Sequence, residues 1–474
     1  MELKYLIECN KELAETEIAG ITCDSRAVKE GYAFVCIKGS AADGHKFAKS
    51  AYESGAAVII AEEDTGVANQ ILVSDTHAAY ADMCSKWFGN PADSLKLIGV
   101  TGTNGKTSVT YMLKKILEGF GFKVGLIGTI QNMIGDEVIE AKNTTPNAYE
   151  LNSLFSLMKE KGCTYVIMEV SSHALDQCRV YNLDFEVALF TNLTQDHLDY
   201  HITMENYLQA KKRLFYMCKT AIINSDDEYY NQLADGLNCK VATYSAGNDS
   251  TYSAKAVKYK PTSVAYEFVS DKTIKHIKVN TGGKFTVYNS LCALSCVEEL
   301  GFSVAEAAEF LEQLDGVKGR AEAVPCDKGF TIIIDYAHTP DGLKNILSTF
   351  KECEKNRLTV LFGCGGDRDK TKRPIMGSVA ARYADNVIVT SDNPRSENPS
   401  EIIKDILVGL DGTITPYKVI ENREEAIKYA IATAQKDDII VLAGKGHETY
   451  QIINTGVIHF DEREIIAEAL NTEQ

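Results

Sequence analysis

The stretch 95–107, LKLIGVTGTNGKT, limits the folds open to this chain more than any other. Leu97-Ile98-Gly99-Val100 reads as a short buried strand that runs into Gly102-Thr103-Asn104-Gly105-Lys106-Thr107. Beyond it Val109, Met112, Leu113, Ile116, Leu117 and Phe120 recur at intervals of three and four, the spacing of an amphipathic helix. A strand, a glycine turn, Lys-Thr and a helix make up a phosphate-binding loop. The glycines let backbone N–H groups close on phosphate oxygens, and the helix N-terminus adds partial positive charge. Lys106 is placed to reach the β- and γ-phosphates, and the Thr107 hydroxyl to ligate Mg²⁺. Five residues separate Gly99 from Gly105, where the common pattern has four. The loop taken alone therefore leaves a plain strand-to-helix turn as the alternative.

The rest of the chain reads as α/β. Ahead of the loop, residues 1–92 carry strand patterns at 32–37 and 57–61, a turn at 41–45 and a helix at 47–52. Asp24-Ser25-Arg26 is by itself an ordinary solvated turn, and Asn90-Pro91 is a break suited to a domain boundary. In 93–324, strands are expected at 123–127, 165–168, 187–190 and 220–224, a hairpin at 264–269 and 275–279, and a helix at 288–299. Glu169 falls at the C-terminal end of a strand, where a carboxylate can hold Mg²⁺ or simply face solvent. His197 lies among acids as either a metal ligand or a hydrogen-bonded loop histidine. Tyr207, Lys211 and Phe215 share one helical face, where a lysine is ordinarily solvated. From 325 to 474 strands are expected at 331–334, 358–362, 386–389 and 439–442. Each ends in a polar turn, with Asp335 and His338, then 363–368, then Asp392-Asn393-Pro394-Arg395, then Gly444 to Glu448. Strands alternating with helices imply a mostly parallel sheet with ligands at its C-terminal edge.

The chain has a formal net charge of −17 over 474 residues, which argues against a general nucleic-acid surface. Its length suggests about three domains. Thirteen scattered cysteines without a C-x-x-C pair read as reduced thiols. The N-terminal residues lack the pattern of a signal peptide, and no apolar run approaches the roughly 20 residues of a membrane span. The expectation is a cytoplasmic, monomeric protein with small-molecule partners and neither nucleic acid nor membrane among them.

Nine segments, TGTNGKT, NTTP, MEVSSHALDQCRV, FTNLTQDHLDYH, YLQAKKRLF, DYAHTPDGL, FGCGGDRDKTKRPIMG, SDNPRSENP and GKGHETYQ, together resemble the Mur ligases of peptidoglycan synthesis, and within them the branch that adds the third amino acid. The longer loop spacing is normal in that family. The resemblance implies an ATP- and Mg²⁺-dependent ligase of three α/β domains: a UDP-substrate-binding domain at 1–92, a central phosphate-loop ATPase-type parallel sheet at 93–324, and a Rossmann-like amino-acid-binding domain at 325–474. It implies ATP contacts at Gly102, Thr103, Asn104, Gly105, Lys106, Thr107, Asn289, Arg320, Asp335 and His338. It implies contacts to the UDP-muramoyl-peptide at Ser25, Arg26, Asn143, Thr144, Thr145, Ser172, Gln177 and Arg179. Metal would be held by Thr107 and Glu169, with a second ion at His197. Lys211 matches the family's carbamylated lysine, although Lys212 stands beside it, and Lys106, Lys211 and His197 form the catalytic set. A carbamate turns a cation into an anion, which suits a metal site crowded with phosphate charge.

The amino acid would be met by Arg373, Asp392, Asn393, Pro394, Arg395, Gly444 and Glu448. An Arg-bearing DNPR turn goes with the meso-diaminopimelate enzymes, because a guanidinium can grip the far carboxylate that L-lysine lacks. A surface pair between Arg395 and Glu397 is the simpler alternative. Competing functions are the same ligase using L-lysine, a folylpolyglutamate synthase-like ligase, and a phosphate-loop switch. The guanine-reading N-K-x-D of the last is missing from the chain.

Overall fold

The computed structural model describes residues 1–39, 42–353 and 355–472. It forms two compact units, one of residues 1–102, 117–223 and 227–242, the other of 103–116, 224–226 and 243–474.

In the first unit the N-terminal residues build a four-stranded parallel sheet in the order Gly20–Thr22, Tyr32–Val35, Val58–Ala61, Gln70–Leu72. Side chains of a strand alternate between faces. Val58 and Ile60 accordingly pack with Leu3, Leu6, Tyr80 and Met83, while Ile59 and Ala61 pack with Phe34, Ala48 and Ala51. The helix expected at 47–52 opens as a tight turn, Gly44–Phe47, capped by the Asp43 carboxylate, and continues as Ala48–Glu53. Ala41, in the turn expected at 41–45, lies outside the described residues.

The same unit holds the parallel series Cys218–Asn224, Phe185–Phe190, Lys96–Thr101, Tyr165–Glu169, Val124–Ile127, extended by a hairpin of Asn132–Ile134 and Glu137–Ile139. These strands are apolar on both faces, as parallel strands buried between helices must be. Val100 stands level with Glu169 and Thr101 with Phe190, so the C-terminal strand ends form one edge.

The second unit contains the antiparallel strands Tyr252–Lys260, Ser263–Val269 and Ile274–Val279. The first of these was not legible in the sequence. The helix Lys284–Glu299 begins four residues earlier than its expected start at Tyr288. The unit's six-stranded sheet runs Glu322–Val324, Thr331–Asp335, Ile439–Ala443, Leu358–Phe362, Asn386–Val389, Tyr417–Val419, parallel except for the first. Ile333, Val360 and Val441 face a core with Leu343, Leu347 and Met376; Ile332, Leu361, Ile440 and Leu442 face another with Ile427, Ile431 and Ile466. Thr339 caps the helix Pro340–Lys351 and Asn398 caps Pro399–Leu407, each with proline at the first turn. All thirteen cysteines are free thiols. Among the described residues no helix is long and apolar enough to cross a membrane.

Candidate active site

In the first unit, Glu169 closes its strand and is 1% exposed. Its Oε1 accepts from the Thr129 N–H at 2.9 Å and its Oε2 from the Thr129 hydroxyl at 3.0 Å. Gly128 permits this approach, since a Cβ there would stand 2.5 Å from Oε1. The solvent-facing alternative for Glu169 is thereby overturned. Thr129 also meets Thr144 Oγ1 at 3.1 Å. Thr145 donates to Glu169 O at 2.8 Å and accepts from the Ser171 N–H at 3.0 Å. Arg179 donates to Thr145 O at 2.8 Å and to Gln177 Oε1 at 2.7 Å. Ser172 is buried with its hydroxyl 2.9 Å from His201 Nε2. Thr144, Thr145, Ser172, Gln177 and Arg179 are thus drawn to one strand edge, while Asn143 is exposed beside them.

Lys211 is not solvated: it is 1% exposed, donates from Nζ to Gly102 O at 2.9 Å, and lies 4.4 Å from the Tyr207 ring centroid. Lys212 points elsewhere, to Gln232 O at 2.7 Å and Asp235 O at 2.6 Å. Both lysines lie in the last turn of the helix Met204–Lys212, where successive side chains point about 100° apart. His197 adopts a left-handed backbone, φ 53°, with Nε2 3.6 Å from Asp196 Oδ2 and its ring 4.9 Å from that of His173. Burial, with repulsion from His197, His201 and Arg179, pushes the His173 imidazole down to about 4. Ser25 and Arg26 form a short surface turn in which Asp24 caps the backbone and pairs with the Arg26 guanidinium at 2.8 Å.

The second unit carries the rest of the glycine loop. The helix Lys106–Gly119 starts at Lys106, whose Nζ donates to Thr103 O at 2.9 Å. Gly105 has φ +89°, and a Cβ there would lie 2.5 Å from Asn289 Oδ1, so only glycine allows Asn289 this close. Asn104 reaches Asp341 Oδ2 at 3.4 Å, and Arg320 reaches Thr107 Oγ1 at 3.4 Å. The Arg320 guanidinium also lies 4.8 Å from the Tyr336 ring, whose other neighbours are His338 at 4.6 Å and His447 at 5.0 Å. Asp335 accepts from the Ala321 and Ala337 N–H groups at 2.7 and 2.8 Å, while desolvation raises its pKa. Burial, with repulsion from Arg320, Arg463 and Lys318, pushes His447 down to about 4.

Along the same edge of that sheet, Asn393 is a hub. It donates to Glu448 Oε2 at 2.9 Å, and its Oδ1 accepts from Lys445 Nζ at 2.9 Å and the Ile452 N–H at 3.0 Å. Gly444 has φ +119° and faces Asp392 Oδ2, which a Cβ would approach to 2.4 Å. Arg395 donates to Gly366 O at 2.8 Å. Glu397 belongs instead to Arg373, with contacts of 2.9 and 3.0 Å, and to Lys370 at 3.1 Å. This overturns the Arg395–Glu397 surface pair. The hydrogen bonds from Arg373 hold the Glu397 carboxyl at about 2. Arg373 is wholly buried and also grips Asp405 at 2.9 Å, so in this conformation it braces the turn from behind. Thr129, Tyr336, Lys445 and His447 were not singled out from the sequence. The signal available was their position in or beside the polar turns that follow apolar strands.

A glycine loop opening a helix with Lys-Thr, a buried strand-end carboxylate and parallel sheets whose strands end in polar turns define a phosphate-loop protein of the α/β class. Residues 17–86 match the Mur ligase family catalytic domain, 100–297 the Mur ligase middle domain, and 319–446 the Mur ligase glutamate ligase domain. The chain belongs to the Mur ligase family. It is 50% identical over 459 residues, 96% of this chain and 95% of the other, to a protein of Caldanaerobacter subterraneus subsp. tengcongensis named UDP-N-acetylmuramoyl-L-alanyl-D-glutamate–2,6-diaminopimelate ligase. It is 46% identical over 479 residues, 99% of this chain and 98% of the other, to a Clostridium botulinum protein of the same name. A solved structure under that name superposes with a TM-score of 0.75 at 33% identity, covering 100% of this chain and 99% of that one.

Proposed function

We propose that this chain is an ATP-dependent amide-bond ligase that adds meso-diaminopimelate to UDP-N-acetylmuramoyl-L-alanyl-D-glutamate in peptidoglycan synthesis. The observation that carries the amino-acid choice is the state of Arg395. Its side chain donates to a neutral carbonyl, while the nearby Glu397 is taken up by Arg373 and Lys370. A guanidinium so placed can meet a substrate carboxylate through paired hydrogen bonds. Glu448, in the facing turn, gives Oε2 to Asn393 and the buried Lys445 ammonium, and its second oxygen is assigned as an acceptor for the ammonium end.

A carboxylate is a poor electrophile. Its oxygen attacks the γ-phosphorus of ATP, ADP leaves, and the acyl phosphate so formed is attacked by the diaminopimelate amine, which expels inorganic phosphate and forms the amide. Gly102, Thr103, Asn104, Gly105 and Lys106 cradle the phosphates, and Asn289, Arg320, Asp335 and His338 complete the ATP contacts. Thr107 and Glu169 are assigned to one Mg²⁺ and His197 to a second. Hydroxyl and carboxylate oxygens are the donors Mg²⁺ prefers, and a buried carboxylate with two neutral donors is matched by a cation. The ion supplies positive charge against the developing charge of the phosphoryl group. Lys211 is assigned as a carbamate, formed from its amine and CO₂ with loss of a proton. A carbamate keeps one N–H, enough for Gly102 O. Ser25, Arg26, Asn143, Thr144, Thr145, Ser172, Gln177 and Arg179 bind the UDP-substrate. The three-domain division at 92 and 324 is supported by two family matches, 17–86 and 100–297, each inside one segment, while the third, 319–446, begins six residues ahead of the last segment. We assign the enzyme to the cytoplasm as a monomer.

The test is release of ADP and phosphate, with the product identified by mass. Turnover that requires both the UDP-muramoyl-dipeptide and diaminopimelate is expected. Release independent of the amino acid would overturn the proposal.

A further inference from the structure

Two of the most completely buried side chains in the second unit lie outside every role assigned above. Arg423, the first residue of the helix Arg423–Ala432, and Glu462, the first of Glu462–Thr472, form an ion pair with both side chains 0% exposed. Arg423 Nε and Nη2 lie 2.9 and 2.8 Å from Glu462 Oε1. Oε2 of Glu462 is buried without a hydrogen-bond partner. A buried ion pair often contributes no more stability than a well-packed apolar pair, so stability alone does not account for this one.

The remaining bonds of Arg423 supply a reason. Nη2 donates to Ala443 O at 2.9 Å and Nη1 to Ser391 O at 3.4 Å. Ala443 is the residue directly before Gly444, and Ser391 the residue directly before Asp392. The strands that lead to these two turns, Ile439–Ala443 and Asn386–Val389, are not neighbours, because Leu358–Phe362 lies between them. No ladder hydrogen bond can fix their spacing directly. A planar guanidinium with donors on a rigid fork can span both carbonyls. Asn393, Lys445 and Glu448 tie the tips of the same turns, and Arg423 ties their stems.

We propose that Arg423, oriented by Glu462, is a positioning residue that sets the separation of the 392–395 and 444–448 turns, and so the match between Arg395, Glu448 and the two ends of the incoming diamino acid. This rests on the amino-acid-site reading given above. Misplacement of such groups by about 1 Å is enough to cost on the order of 10²-fold.

The test compares KM for diaminopimelate, ATP and UDP-muramoyl-dipeptide in the full-length enzyme and in the double variant Arg423→Met/Glu462→Leu, which removes both charges together and so keeps the core folded. KM for diaminopimelate is expected to rise at least about tenfold, with the other two KM values unchanged. Arg423→Lys, which keeps the ion pair but reaches only one carbonyl, is expected to fall between the two. Unchanged KM for diaminopimelate in a folded double variant overturns the proposal, as does a loss of kcat in step with melting temperature and no selective change in KM. An unmutated enzyme that used L-lysine as well as diaminopimelate would refute the substrate assignment alone. The clamp would then still be judged by the variant's KM for whichever amino acid is used.

Discussion

Replacing Glu169 by glutamine separates its structural role from its proposed work on a cation. Each carboxylate oxygen accepts one bond, from Thr129 N–H at 2.9 Å and from Thr129 Oγ1 at 3.0 Å. Glutamine keeps the volume and one acceptor. Its amide can donate to Thr129 Oγ1, whose own proton can turn to Thr144 Oγ1, 3.1 Å away. Both donors therefore stay satisfied, and only the charge assistance is lost. Bonds to charged groups contribute about 1.5–3 kcal/mol and neutral ones about 0.5–1.5, so the exchange costs about 2 kcal/mol over both. In a domain of this size that corresponds to a melting temperature lower by ~4–8 °C. Activity should suffer much more, on the order of 10²-fold at low Mg²⁺, because the substitution removes a full negative charge from the proposed ion site. Phosphate release measured across a Mg²⁺ titration is the assay, with the half-saturating concentration shifted upward in the variant. A glutamine enzyme with the Mg²⁺ dependence of the unmutated protein would refute the assignment of Glu169 as a ligand.

Lys106→Ala should melt like the unmutated enzyme yet lose at least about 3 kcal/mol of transition-state stabilisation, since a cation aimed at the phosphoryl group is gone; near-normal turnover would remove the loop from its central role. Lys211→Ala should be nearly inactive and regain part of its rate when short-chain carboxylates replace the carbamate; an unmodified amine at Lys211 in a well-ordered structure of the active, nucleotide-bound enzyme would contradict the carbamate. The Glu397 carboxyl, held at about 2 by Arg373 against an ordinary 4.5, is depressed in the folded state. Its pairing therefore stabilises the fold fully above the ordinary value and is lost as pH falls toward the folded one. Urea titrations over the acid range should show a steep limb that Glu397→Gln flattens, and an equally steep limb in that variant would refute the pairing.

The phosphate loop and the strand series were legible because apolar runs, glycines and polar turns recur in a fixed order. The sequence also marked helix starts without saying so. Thr339-Pro340 and Asn398-Pro399, inside two of the quoted segments, serve as caps and first-turn prolines. What remained out of reach was the direction of side chains. Lys211 and Lys212 are equivalent on paper, and only tertiary packing turns one to Gly102 O and the other to Gln232 O. Thr129 lies forty residues from Glu169, and nothing local links them. Arg423 looks like any charged residue at a helix start until its burial against two strand ends is seen. The strand Tyr252–Lys260 was hidden because its pattern does not keep a period of two: exposed lysines stand at 255, 258 and 260, and the pairing register shifts between Lys255 and Lys258.

The most direct test of the account is the ratio of kcat/KM for meso-diaminopimelate over L-lysine, measured with the same UDP-muramoyl-dipeptide in the unmutated enzyme and in Arg395→Ala. A site built to pair with a far carboxylate should reject the analogue lacking it by on the order of 10⁴-fold. The account predicts a strong preference for diaminopimelate that collapses when Arg395 is removed. Comparable kcat/KM values for the two amino acids in the unmutated enzyme would contradict it.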